Sequence, residues 1–166
     1  MKTAIIYESK HGTTANVAQA ISDGINDSVT ELINLAKNEK TDLTQYDLIV
    51  LGASIHAGKI GKNMKKFINK NIITLLEKPI ALFICFMNDI EKELQFANAF
   101  PELLRNHAFA SCYAGGEFKL EKMNFIEKII IKRITGIRYS VSNINYDQID
   151  QLISRISANI LTNYHS

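Results

Sequence analysis

Two rhythms of apolar residues run through the chain. Unbroken runs at Thr3–Tyr7, Leu48–Ser54, Ile80–Phe86 and Phe109–Ala114 predict short strands covered on both faces, as in a parallel sheet. Val29–Leu35 is more polar and partly alternating, which suits an edge strand with one wetter face. Between these runs the spacing turns helical. Val17, Ala18, Ile21 and Ile25 predict a helix from about Thr13 to Ile25, ended by Gly24 or Asn26 in the left-handed conformation. Ile60, Met64, Phe67, Ile68, Ile72 and Leu76 predict an amphipathic helix over Lys59–Leu76, with Lys62, Lys65, Lys66 and Lys70 off its stripe. Thr41 or Asp42 would cap a brief helix before Tyr46. Asn88 or Asp89 would cap another with Ile90 and Leu94 on its inner face, and Pro101 would restart it. Ile149, Leu152, Ile153, Ile156 and Ile160 mark a last helix from about Asn145, with Gln148 as its capping-box-like partner.

Strands alternating with helices predict a doubly wound, five-stranded parallel sheet, read as one domain over residues 1–166. The order 2-1-3-4-5 fits, because it puts the wetter second strand at an edge. Ligands of such sheets bind outside the carboxyl ends of the strands, at the switch point between the first and third. Ser9–Asn16 and Gly52–Lys59 leave from those two ends, so the order brings the two loops together.

Ser9-Lys10-His11-Gly12-Thr13-Thr14-Ala15-Asn16 joins the first strand to the first helix. A strand, a hydroxyl-rich loop and a helix start aim backbone N–H groups and the positive end of a helix dipole at one spot, where a phosphate fits. Gly12 would admit close approach, with donors from Ser9, Thr13, Thr14 and Asn16. The bland reading is a capped helix after a tight turn. The loop is neither G-x-x-x-x-G-K-[ST] nor G-x-G-x-x-G. A phospho-acceptor aspartate is missing from Gly52-Ala53-Ser54, and no G-x-S-x-G occurs, so receiver and serine-hydrolase readings fall behind.

Composition narrows the picture further. The 46% hydrophobic content over 166 residues allows a normal core and argues against disorder. No apolar run approaches the roughly 20 residues that span a bilayer. The first strand begins almost at once, leaving no room for a signal peptide, so a cytoplasmic address is expected. Cys85 and Cys112 sit inside apolar runs without a C-x-x-C motif and read as buried free thiols. The net charge of +2 suits an anionic partner or a membrane surface better than a basic docking protein, and no nucleic-acid partner is expected.

Ser9-Lys10-His11-Gly12-Thr13-Thr14 resembles the phosphate loop of the flavodoxin family, [ST]-x-[TH]-G-x-T, which wraps the single phosphate of FMN. The resemblance implies a flavin slot with three further walls. In the second, Ala53, Ser54, Ala57 and Gly58 are small enough to let the backbone lie close to the ring, and Ile55 and His56 would cover its face. A protonated His56 would also stabilise an anionic reduced flavin, although a partly exposed loop histidine is the alternative. Phe86, Met87 and Asn88 would supply the next wall, with Phe86 either against the flavin or an ordinary core residue. Ala114–Glu117 would line the far rim.

Leu51-Gly52-Ala53-Ser54-Ile55, with the lysine-flanked helix behind it, looks like the flavodoxin-domain branch of menaquinone-dependent protoporphyrinogen dehydrogenases. That resemblance implies an FMN-dependent oxidoreductase with a porphyrinogen donor and a quinone acceptor. His56-Ala57 stands where the branch carries an Arg-Tyr pair, and Met87–Asn106 is shorter and less basic than its counterpart. Two other classes remain: an electron carrier docking to redox-partner proteins without its own substrate, and a flavin-free binding module. The resemblance takes in an extra helical segment at about 118–142. There Met123–Ile134 reads as a helix ended by Gly136, with a wide apolar arc and a basic flank of Lys128, Lys132 and Arg133. It either packs against the domain or, over 122–134, contacts an anionic membrane surface or an acidic partner.

Overall fold

The computed structural model describes residues 1–26, 28–37, 41–56, 58–118, 121, 123–135 and 139–164. Ala57 and Gly136, and with them residues 119, 120, 122, 137 and 138 of the segment expected at about 118–142, lie outside them. β1 (Lys2–Tyr7) runs between β2 (Val29–Asn34) and β3 (Leu48–Ser54), with Ile5 opposite both Leu32 and Val50. β4 (Ile80–Cys85) and β5 (Ala110–Tyr113) complete a five-stranded parallel sheet of order β2-β1-β3-β4-β5. The predicted order holds, and the wetter strand is at the edge.

Alternate residues of the central strands face opposite layers, which is why their sequences are apolar without a break. On one side Ala4, Ile6, Leu51 and Ile84 pack with Met64, Phe67 and Ile68 of α2 (Lys62–Leu76). Phe96 of α3 (Lys92–Ala99) and Leu104 of α4 (Glu102–His107) close that layer. On the other side Ile5, Val50, Phe83 and Cys112 meet Val17 and Ile21 of α1 (Thr13–Gly24). Ile149, Leu152 and Ile156 of α6 (Tyr146–Tyr164) share that layer. Each such aliphatic side chain contributes roughly 1.5–3 kcal/mol by leaving water. The caps read from the sequence are present: Asp42 Oδ1 accepts from Thr44 N at 2.9 Å, and Asn145 Oδ1 accepts from Gln148 N at 3.1 Å.

Four expectations are corrected. Gly24 is helical rather than left-handed, and Ile25 ends α1 in an extended conformation. A Cβ at Gly24 would lie 2.6 Å from the Ile153 side chain, so this glycine lets α1 approach α6. The second helix starts at Lys62 rather than Lys59, because His56 and Lys59 exchange backbone hydrogen bonds of 2.9 and 3.1 Å in a tight loop. Ile90 and Leu94 are 96% and 58% exposed. Asn88 starts a 3-10 turn, Asp89–Glu91, that shifts the phase of α3 and turns Phe96 and Ala99 inward instead. Finally, the apolar run expected to finish a strand at Ala114 is followed directly by a further strand, β6 (Gly115–Phe118), which pairs antiparallel with β7 (Val141–Ile144). This ribbon carries α5 (Phe125–Thr135).

Gly52 leaves no room for a side chain in the central sheet. A Cβ there would sit 2.1 Å from the buried Phe83 ring on the neighbouring strand. Gly52→Ala is expected to cost about 1–3 kcal/mol in urea unfolding, the usual range for overpacking. Adding Phe83→Leu should return part of that loss, a coupling that a double-mutant cycle measures.

Candidate functional site

The carboxyl ends of β1, β3 and β4 frame a cavity of about 410 Å3. From the first loop Ser9, Lys10, His11, Thr13 and Thr14 line it, and from the second Ser54, Ile55 and His56. Cys85, Phe86 and Met87 come from the end of β4, Gly116 and Glu117 from β6, and Met123 from the approach to α5. Of the remaining residues predicted for this site, Gly12 shapes the loop rather than lining it, and Ala53 is buried in β3. Gly58 turns the second loop. Asn88 does not line the cavity: it accepts from Ile90 N at 3.2 Å and donates to Glu91 Oε2 at 3.0 Å, so its side chain serves the 3-10 turn.

The first loop is built around Gly12, whose φ of 96° is a region that side chains other than glycine's rarely tolerate. Ser9 Oγ accepts from Gly12 N at 3.2 Å, and Asn16 N donates to Gly12 O at 2.9 Å as α1 begins. Among the described residues no side chain is seen accepting from the first N–H groups of α1, and no acidic residue stands in its first turn. The neighbouring helix is different. Glu8 Oε2 accepts from Met64 N at 2.9 Å, so a carboxylate from the end of β1 sits at the start of α2. A Cβ at Gly61 would fall 2.0 Å from that carboxylate, which fixes how closely the two pack. Of the two helix starts, that of α2 carries a protein anion, and that of α1, on the cavity, has hydroxyls and amides around it.

The far end of the cavity is apolar. Ile55 is half-buried, its N donating to Cys85 O at 2.9 Å, and Met87 is half-buried beyond β4. Phe86 is both things the sequence allowed: it lines the cavity, yet it is 5% exposed and stands edge-on to Tyr113, with ring centroids 6.2 Å apart. His56 is exposed, with its Nε2 3.0 Å from Ser54 Oγ, and its ring meets the His11 ring edge-on at 5.9 Å. The two loops therefore touch, as the strand order required. The cavity is lined by hydroxyls, Lys10 and the start of α1 as well as by the large apolar side chains Ile55, Phe86, Met87 and Met123.

Four contributors escaped the sequence reading, one of them Cys85, which was read only as a buried thiol and lines the cavity. Glu8 joins positions 8 and 64, and nothing local announces such a cap. Asn34 Oδ1 accepts from Ser9 N at 3.3 Å and Ala36 N at 3.0 Å, tying the first loop to the edge strand. Met123 reaches the cavity from the extra segment, whose path depends on the unforeseen ribbon.

A family model described as a flavodoxin domain matches residues 4–144. Over 71 residues the chain is 35% identical to an uncharacterised protein of Methanocaldococcus jannaschii, covering 42% of this chain and 45% of that one. Over 85 residues it is 26% identical to the protoporphyrinogen IX dehydrogenase [quinone] of Escherichia coli K12, covering 50% of this chain and 47% of that enzyme. The matched stretch thus spans less than half the length of either relative. A flavodoxin from the domain Archaea superposes with a TM-score of 0.63 at 18% identity, covering 97% of this chain and 99% of the other. Rubredoxin oxygen:oxidoreductase from Desulfovibrio gigas gives 0.65 at 15% identity, with 99% of this chain against 37% of that one. At these identities the structures share the fold.

Cys85, on the cavity wall, and Cys112 both have thiols pushed up to about 12, in each case chiefly by burial; a Thr14 hydrogen bond pulls Cys85 back. Both stay protonated at neutral pH. Because the unfolded thiols release their protons near pH 8.5, folded-state stability should be full below that pH and fall as pH rises toward 12. The expected slope is about 1.4 kcal/mol per pH unit for each thiol. Chemical unfolding at pH 8 to 11 checks it, with Cys85→Ala/Cys112→Ala flattening the curve.

Proposed function

The chain belongs to the flavodoxin domain family, and we propose that it is an FMN-binding oxidoreductase that takes electrons from a small donor and passes them to a quinone. One observation carries the reading: the α1 start, where no capping side chain is seen among the described residues, opens into a cavity that Ile55, Phe86, Met87 and Met123 also line. Thr13, Ser9 and the backbone N–H groups around Gly12 would hold the phosphate, with Thr14 and Lys10 beside them. Ile55, Phe86, Met87 and Met123 would exclude water from the flat ring. When bound, FMN supplies the redox chemistry, and the chain supplies position and electrostatics. His56, steadied by Ser54, would set an imidazole at the exposed rim, and Ala57 and Gly58 would complete that loop.

Half-length similarity to the E. coli enzyme supports a porphyrinogen as donor and a quinone as acceptor. Exposed Lys10 at the cavity mouth would attract carboxylates of such a donor. No helix among the described residues is long and apolar enough to cross a membrane. The reading puts the protein in the cytoplasm, working at the inner face of the membrane where a quinone resides. The second reading, an electron carrier that docks to redox-partner proteins, is favoured by the near end-to-end match to an archaeal flavodoxin.

Purified protein mixed with FMN should gain a protein-perturbed flavin band and quench flavin fluorescence. Thr13→Val is expected to weaken binding roughly tenfold to a hundredfold, the effect of one hydroxyl donor to a charged group. An unchanged affinity would remove the first loop from the site. Turnover separates the two redox readings. Oxidation of protoporphyrinogen with a menaquinone analogue supports the enzyme, whereas reduction by a flavodoxin reductase without such turnover supports the carrier.

A further inference from the structure

α5 is an eleven-residue helix, about 16 Å long, that shows large apolar residues to solvent. Phe125 is 77% exposed, Ile126 68% and Ile129 44%. Lys128, Lys132 and Arg133 are exposed on the same helix. At about 100° per residue, these six positions share one arc of about 160°. Among the described side chains of α5, that arc holds three cations and no anion. A solvated helix would put charge outward and apolar residues inward; here both kinds point out together. Met123, two residues before the helix, lines the cavity.

We infer that α5 docks on an anionic lipid surface, with Phe125, Ile126 and Ile129 entering the headgroup boundary and Lys128, Lys132 and Arg133 pairing with lipid phosphates. The charges favour this occupant over a second copy of the chain. A second copy of α5 would bring like charges together, whereas a phosphate-bearing surface meets every exposed ionic group on the arc with the opposite sign. The short helix makes the contact weak and reversible, since both buried apolar area and charge count are small. Its place beside Met123 sets the cavity mouth close to the bilayer, where a lipid-dissolved quinone would be met. That purpose rests on the quinone-linked reading above; the lipid contact itself does not.

The full chain, with and without FMN, is sedimented with phosphatidylcholine vesicles and with vesicles containing 30% phosphatidylglycerol. The expected result is co-sedimentation with the anionic vesicles alone, lost in 0.5 M NaCl. Lys128→Gln/Lys132→Gln/Arg133→Gln should lower the partition about a hundredfold, roughly fivefold per charge. Phe125→Ser/Ile126→Ser should lower it independently, with circular dichroism verifying the fold of both variants. Equal binding to neutral vesicles, or full binding by the triple variant, overturns the inference. So does a failure to bind vesicles accompanied by a dimer, seen in analytical ultracentrifugation, that Phe125→Ser/Ile126→Ser dissolves. A chain that binds lipid but never FMN keeps the inference and sinks the cofactor reading; flavin-loaded protein indifferent to lipid does the reverse.

Discussion

Two helices start beside the same edge of the sheet, and Glu8 gives them opposite characters. Helix starts leave backbone N–H groups without partners, and each must find an acceptor. At α2 the acceptor is built in, because the last turn of chain out of β1 carries a carboxylate to Met64 N. At α1 no side chain among the described residues is seen in that role, and Gly12 in its left-handed conformation turns the loop so that Ser9 and Thr13 border the opening instead. The asymmetry would make the switch point selective: negative charge from outside would be favoured at one helix start and is already supplied by Glu8 at the other.

The sheet supplies the precision behind that asymmetry. β1, β3 and β4 are held between two apolar layers, so their carboxyl ends cannot shift relative to one another without disturbing buried packing. The cavity walls inherit this rigidity. Cys85 and Phe86 close it from β4 while belonging to opposite layers of the core. A ligand seated here would rest directly on the framework rather than on a separate binding module.

The sequence made the central strands and the two long helices readable, because Ala4–Tyr7 and Leu48–Ala53 are buried on both sides and Met64, Phe67 and Ile68 repeat with the helix. The first loop was legible through Gly12 and its hydroxyl neighbours, whose residue types follow from a local backbone need. Interactions between distant positions left no such trace. Glu8 with Met64 and Asn34 with Ser9 depend on strand order as well as residue type. β6 and β7 are four-residue strands containing Gly115-Gly116 and Ser142-Asn143, which carry turn chemistry rather than strand propensity. Ile90 misled for a different reason, since one 3-10 turn was enough to change the phase of what followed.

The ribbon of β6 and β7 clasps the two ends of an excursion. Gly115 pairs with Ile144 and Phe118 with Val141, so the chain leaves the parallel sheet and returns through one pair of neighbouring strands. Whatever lies between Phe118 and Val141 hangs from that clasp, and loop-closure cost grows only slowly with length. An insertion held this way can be lengthened, shortened or exchanged over evolutionary time while the sheet beneath it stays as it is. The same scaffold could thereby acquire new neighbours without relearning how to fold.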